Sequence, residues 1–235
     1  MKTKILLIII LSYFFFLACS NTKDFEGTVK FRFTSTLINK NNEVDLDHQS
    51  YIQRQYGKYF EETHKNGNYY RKYFGTDSIS LDYQVYIKKN NIKYTKYNYN
   101  DTLYWQNCTN LNRANSFEIL KKKKNDTIIE NEKFDLLITK YKQPFDYGTY
   151  EFYEKYYYNN KLKINANDFK KYKQSFLNKT FEETNAIPYM YVKKLSSDNF
   201  EGYILDTVQF VEKKNKSINS GFILNKISNR PLKKL

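Results

Sequence analysis

The chain has 235 residues, a formal net charge of +14, 18% aromatic side chains, seven glycines, three prolines and two cysteines. That length supports one core of ordinary size or two small ones, and 40% hydrophobic against 27% charged residues fits a folded chain. So few glycines and cysteines exclude a collagen-like or glycine-rich phosphate-cradle design, a disulfide scaffold and a four-cysteine zinc module. Lysine supplies 34 of the 39 basic residues and arginine five, beside 27 asparagines and 24 tyrosines. This is a composition that an AT-rich genome over-supplies, and the arginine forks that read nucleic acid are scarce. Nucleic acid is therefore not an expected partner. The lysines read as a solvated surface with weak attraction to anionic membranes.

The N-terminus begins with Lys2 and Lys4, followed by an apolar run of 13 residues from Ile5 to Leu17. A spanning helix needs about 20 apolar residues, so the run has the dimensions of a secretory signal. Phe16-Leu17-Ala18-Cys19-Ser20 resembles a bacterial lipobox, with Phe16 where leucine is usual. The resemblance implies a signal peptide over 1–18 and a Cys19 that carries diacylglycerol and acyl chains such as palmitate. Each buried methylene adds about 0.8 kcal/mol to membrane binding. Ser20, in place of aspartate after the cysteine, implies passage to the outer membrane. Residues 19–24 form a short tether, and Lys23-Asp24-Phe25-Glu26 is similar to a surface-export signal interrupted by Phe25. Cys108 then stands alone and reads as a small buried hydrophobe.

From 25 to 235 the pattern is that of a single β-rich domain. Between Phe25 and Leu37 one face carries Gly27, Val29, Phe31, Phe33, Ser35 and Leu37, and the other carries polar residues. One dry and one wet face is the signature of an antiparallel sheet packed on one side. Asn66-Gly67 between Lys58–Lys65 and Asn68–Phe74 predicts a hairpin, because both residues of that turn need positive φ. Asn90-Asn91 joins Tyr83–Lys88 to Ile92–Tyr99 in the same way. Further strands are expected at Thr102–Cys108, Phe134–Tyr141, Thr149–Tyr158, Tyr189–Lys194 and Gly202–Glu212. Asp47 is placed to cap a short helix through Tyr51, Ile52 and Tyr56. Phe169, Tyr172 and Phe176 predict a helix over Asn167–Leu177. Lys121–Lys124 reads as a solvated loop. Most strands have one apolar face, so the sheet must curl around something or close on a second layer. The expected fold is mainly β: a curved antiparallel sheet, or half-barrel, with one or two short helices on its concave face. A sandwich satisfies the same pattern.

The lipobox, Phe25-Glu26-Gly27-Thr28-Val29, the aromatic Asn66-Gly67 hairpin and the strands at Ile129…Phe134-Asp135-Leu136-Leu137 and Thr149–Tyr158 together resemble uncharacterised Bacteroidetes outer-membrane lipoproteins. Those are similar in architecture to the LolA/LolB-like half-barrels, whose curved sheet encloses helices and a greasy cavity. The resemblance implies a fold, and its functional content stops at the lipobox.

No nucleophile elbow, zincin helix, phosphate loop or dinucleotide fingerprint occurs, so no enzyme activity, catalytic residue, metal or cofactor is expected. Glu62 and His64 lie two apart on a strand, a two-ligand pair without a third. Asp45, Asp47 and His48 make an acidic cluster that helix capping explains. Glu61/Glu62 and Glu182/Glu183 are adjacent carboxylates, which on a strand face opposite ways and cannot straddle one glycosidic bond. Tyr104-Trp105 and Tyr156-Tyr157-Tyr158 offer rings for sugars or simply fill sheet positions. Lys121–Lys124 can touch phosphorylated headgroups. Two readings remain. The expected one is a non-enzymatic, lipid-anchored protein of the cell envelope, held on the outer membrane and facing the periplasm or the surface. It holds a hydrophobic acyl or lipid ligand in a cavity of several hundred Å³. The alternative is a surface module that binds glycan or a protein partner through exposed aromatics over a filled core.

Overall fold

A computed structural model describes residues 24–109, 115–145, 148–214 and 221–235. The signal segment 1–18, Cys19 and nearly all of the tether 19–24 lie outside the described residues. Among the described residues no helix is long and apolar enough to cross a membrane.

Among the described residues thirteen strands form one open sheet. Its centre is β1, Gly27–Asn39, in which Val29, Phe31 and Ser35 are buried on the face that the sequence pattern turns inward. On one side lie β3 (Tyr59–Lys65), β4 (Asn68–Tyr73), β5 (Leu81–Ile87), β6 (Ile92–Tyr97) and β7 (Leu103–Asn107), joined in chain order by hairpins. On the other side the order runs backwards through β12 (Gly202–Lys214), β11 (Met190–Ser197), β10 (Gly148–Tyr158), β9 (Glu132–Phe145) and β8 (Asn115–Ile129). The short β2, Val44–Asp45, pairs with the end of β1. β13, Leu232–Lys234, runs parallel to β7, in a sheet whose other neighbours pair antiparallel.

The Asn66-Gly67 turn has φ of 51° and 74°, the positive pair expected of it. A methyl group at Gly67 would also stand 2.6 Å from Asp168 Oδ2, so a side chain there would be strained and would displace Asp168. Two helices lie on the concave face: α1, Leu46–Tyr56, and α2, Leu177–Thr184. The cap of α1 is Asp45 rather than Asp47, its Oδ1 accepting from His48 N at 2.9 Å, and the helix runs 11 residues. Its C-terminal end is stitched to the next loop by Thr76 N donating to Arg54 O at 2.7 Å. Gly75 permits that approach, since a methyl there would stand 2.3 Å from Gln55 O.

Two further expectations are corrected. The helix over Asn167–Leu177 is replaced by short 3-10 turns at Ala166–Phe169 and Gln174–Phe176, and the α-helix begins only at Leu177. Ser175 and Phe176 adopt φ of 51° and 53°, which no continuous right-handed helix accommodates. The second correction concerns Lys121–Lys124, which belongs to strand β8 and not to a loop. β8 is the sheet edge and bulges three times against β9. Exposed lysines on a bulged edge keep other chains from pairing there.

The segment between Leu162 and Ile187 forms a strap across the concave face. Its ends are tied together by Ile164 N donating to Asn185 O and Ile187 N to Leu162 O, both at 2.9 Å. Its middle is tied to the far arm of the sheet, where Lys173 N donates to Cys108 O at 3.0 Å and Asn91 Nδ2 to Lys171 O at 3.0 Å. Under the strap Phe169 stacks on Tyr86, 5.7 Å between ring centres, and meets Phe181 at 4.7 Å. The main core gathers Val29, Phe31, Phe60, Tyr69, Cys108 and Ile164 around this contact. A second core lies on the convex face, where Phe222, Ile223 and Ile227 of the C-terminal segment cover Tyr70, Val85 and Leu103.

Candidate functional site

The sheet's curvature forms a partly open cavity of about 560 Å³. Its wall includes Lys93 on β6 and Glu154 on β10, seven strands apart in the sheet order. In a flat sheet they would stand about 34 Å apart at the usual spacing of strands. Phe31, Phe33 and Ser35 of β1 and Ile204, Val208 of β12 line its sheet side. Helix α1 contributes one face, His48, Ile52 and Tyr56, spaced four residues apart; α2 adds Leu177, Thr180 and Phe181. His48 Nε2 lies 3.5 Å from Ser35 Oγ.

Three carboxylates line the cavity, and each is matched. Glu62 accepts from His64 Nε2 at 2.6 Å and from Arg71 Nε at 2.6 Å. Burial works to raise its pKa, but the Arg71 charge and the His64 bond overcome that and hold it at about 2. Glu154 accepts hydroxyl bonds from Tyr141 at 3.2 Å, from Tyr191 at 2.8 Å and from Tyr156. Burial raises the Glu154 carboxyl above its ordinary value, with the tyrosine hydroxyls and Lys193 pulling back. Asp206 pairs with Lys193 at 2.5 Å across β11 and β12. The cavity is thus an aromatic and aliphatic space with polar groups at set points on its wall.

Among the residues that the sequence singles out, Glu62 and His64 do share a face. Arg71 occupies the place of a third ligand, and no cluster among the described residues can hold a metal. Asp45 caps α1 and Asp47 lies in its first turn. Glu61 points to the opposite face from Glu62, where it pairs with Lys214. Glu182 pairs with Lys179 at 3.2 Å, and Glu183 with Lys122 at 2.9 Å, which ties α2 to β8. Lys121 and Lys123 share Asp126. Tyr156 and Tyr158 are buried inward and Tyr157 lies on the other face, so the three rings form no common platform. Trp105 packs into the convex core, while Tyr104 meets Tyr97 at 5.7 Å.

Arg71 and Lys93 are the site residues that pattern reading missed. For Arg71 a signal existed: a two-residue turn at Asn66-Gly67 sets Glu62 opposite Arg71. For Lys93 none did, because both faces of β6 are covered and Ile92–Tyr97 shows no alternation.

Cys108 is fully buried, and burial pushes its thiol up to about 11. A thiol reagent at pH 8 is therefore expected to leave Cys108 unmodified for hours in the native protein and to label it within minutes in denaturant. Rapid native labelling would show that the strap over Cys108 opens readily.

The sequence matches no known protein family and no curated protein. Among solved structures, an uncharacterized conserved protein from Thermus thermophilus is similar over 88% of this chain and 91% of its own, at 7% identity and a TM-score of 0.35.

Proposed function

We propose that the protein is a lipid-anchored, non-enzymatic component of the cell envelope that holds a hydrophobic acyl or lipid ligand beneath its curved sheet. The observation that carries this reading is the cavity of about 560 Å³ between the sheet and its two helices. That volume lies within the range of small-molecule sites, about 300–1,000 Å³. A core meant only for stability is packed to crystal-like density, with few voids larger than a water molecule. Architecture adds to the reading, since a helix-filled half-barrel is the plan of the LolA/LolB-like proteins that the sequence resembles. The lipobox-like Cys19 supplies the anchor, and the basic charge of the chain suits an anionic membrane surface.

Native mass spectrometry of the purified protein, paired with an organic extract, tests the reading. Near-stoichiometric lipid is expected. A clean apo mass with no uptake of added fatty acid or phospholipid would sink it and leave the surface interaction module. A blocking variant sharpens the test: Ile204→Trp with Val208→Trp, both lining the cavity from β12, is expected to abolish lipid co-purification. The added rings enter existing space, so the melting temperature should fall by no more than a few degrees. Unchanged lipid content in that variant would place the ligand elsewhere.

A further inference from the structure

Lys93 projects from β6 into the cavity with 6% of its surface accessible. Its ammonium donates to Gln174 Oε1 of the strap, a neutral acceptor. No described carboxylate pairs with it: Glu62 is taken by Arg71 and His64, Asp206 by Lys193, and Glu154 by three tyrosine hydroxyls. The groups that face it from neighbouring elements are Arg71 of β4, Cys108 after β7, and Gln174. A cation in low dielectric without a counter-charge is costly and in most cores is replaced by an apolar side chain. On adjoining strands Arg71 and Gln84 stand opposite each other and face the same space. Phe31, Phe33 and Val208 are among the apolar residues that line the same space. The wall is therefore uneven: Lys93 is a positive charge without a carboxylate on one arm of the sheet, while on the other arm Asp206 is matched by Lys193 and Glu154 by tyrosine hydroxyls, among apolar side chains.

We propose that the ligand is an anionic amphiphile, an acyl or alkyl chain ending in a carboxylate or phosphate, with its head on Lys93 and its tail among the rings and aliphatics of β1 and β12. This deepens the lipid-holding reading and rests on it. The bound anion supplies the counter-charge that the fold withholds, and a neutral chain of equal length does not. Burial lowers the Lys93 ammonium to about 8, with Arg71 adding to the shift and Cys108 opposing it, so at pH 7 the group still carries its charge.

The test uses the full chain carrying Cys19→Ser and the neutral probe N-phenyl-1-naphthylamine at pH 7. Dodecanoate, dodecyl phosphate and dodecanol then compete for the probe. At least one of the two anions is expected to displace it at a concentration about 10- to 100-fold below dodecanol. Which anion wins assigns the head as carboxylate or phosphate. Lys93→Met should remove that preference while leaving dodecanol binding unchanged, and Lys93→Arg should keep it. The methionine variant removes a desolvated charge and is expected to melt no lower than the parent; Lys93→Gln serves in its place should it fail to fold. Equal displacement by all three chains would overturn the head site while the lipid-holding reading stood. An anion preference that survives in Lys93→Met would overturn the head site as well. If neither probe nor chain binds, the cavity reading falls with it.

Discussion

Replacing Arg71 by methionine is expected to lower the melting temperature by about 6–12 °C, the consequence of leaving Glu62 charged in the interior without its guanidinium partner. Glu62 is 6% accessible, and with Arg71 removed its carboxylate keeps only His64. Removing one partner of a buried pair costs about 3–5 kcal/mol. The lower end applies here, because the Arg71 side chain is one-third accessible, facing the cavity, and water there softens the loss. At about 2–4 °C per kcal/mol for a domain of this size, the shift follows. The companion variant is Glu62→Leu with Arg71→Met, which removes both charges and should lie within about 1 kcal/mol of the parent. Thermal melts of the three proteins decide it. A single Arg71→Met variant that melts with the parent would mean that Glu62 is solvated and that the cavity is wet at that end.

The same pair sets an acid limit. Glu62 titrates at about 2 in the folded chain against an ordinary value of 4.5, so the unfolded state takes up the proton first as pH falls. Its contribution is complete above about 4.5 and is lost as pH falls through about 2. The Glu62→Leu, Arg71→Met variant should show a flatter loss of stability across that window.

How far the sequence carried differs from element to element. β1 was legible because one side of it faces a packed interior and the other faces outward, so alternation survives in the residue types. The Asn66-Gly67 hairpin was legible because its turn has few chemical solutions. β8 was not, since an edge strand carries no buried face to enforce a period, and its turn to β9 uses Glu130 and Asn131 at φ of 51° and 64°. Glutamate seldom takes that conformation, so the turn has no signature. In the strap, the spacing of Phe169, Tyr172 and Phe176 recorded that these rings face inward, while the local geometry of Ser175 and Phe176 broke the helix that the spacing suggested. The cavity itself was expected from the resemblance to the LolA/LolB-like half-barrels, since a one-sided sheet calls only for a covering layer. Its charged wall depends on which residues meet across strands far apart in sequence, and only the Glu62–Arg71 register followed from a turn.

Phe169→Ala is expected to be the costliest single truncation in the strap, about 3–5 kcal/mol, or roughly 6–20 °C in melting temperature. Phe169 is 2% accessible and meets Tyr86 on β5 and Phe181 on α2, so its ring joins the strap to both the sheet and the helix. Truncation leaves a void next to the cavity and removes both aromatic contacts. Tyr172→Phe is the contrasting change, since it keeps the ring and loses the hydroxyl shared with Tyr69 at 3.0 Å and Gln174 at 3.2 Å. That should cost about 1 kcal/mol, the net worth of an ordinary hydrogen bond. The two variants separate packing from polar anchoring as the force that holds the strap down. Under the lipid-holding reading they also differ in kinetics: Phe169→Ala loosens the strap where it covers the sheet, and bound chain should leave faster than from the parent. Thermal melts and stopped-flow release of N-phenyl-1-naphthylamine measure both quantities on the same samples. If Phe169→Ala melts within about 2 °C of the parent, less than 1 kcal/mol, the strap is held by its backbone ties to Asn91 and Cys108, and the aromatic stack is incidental to closure.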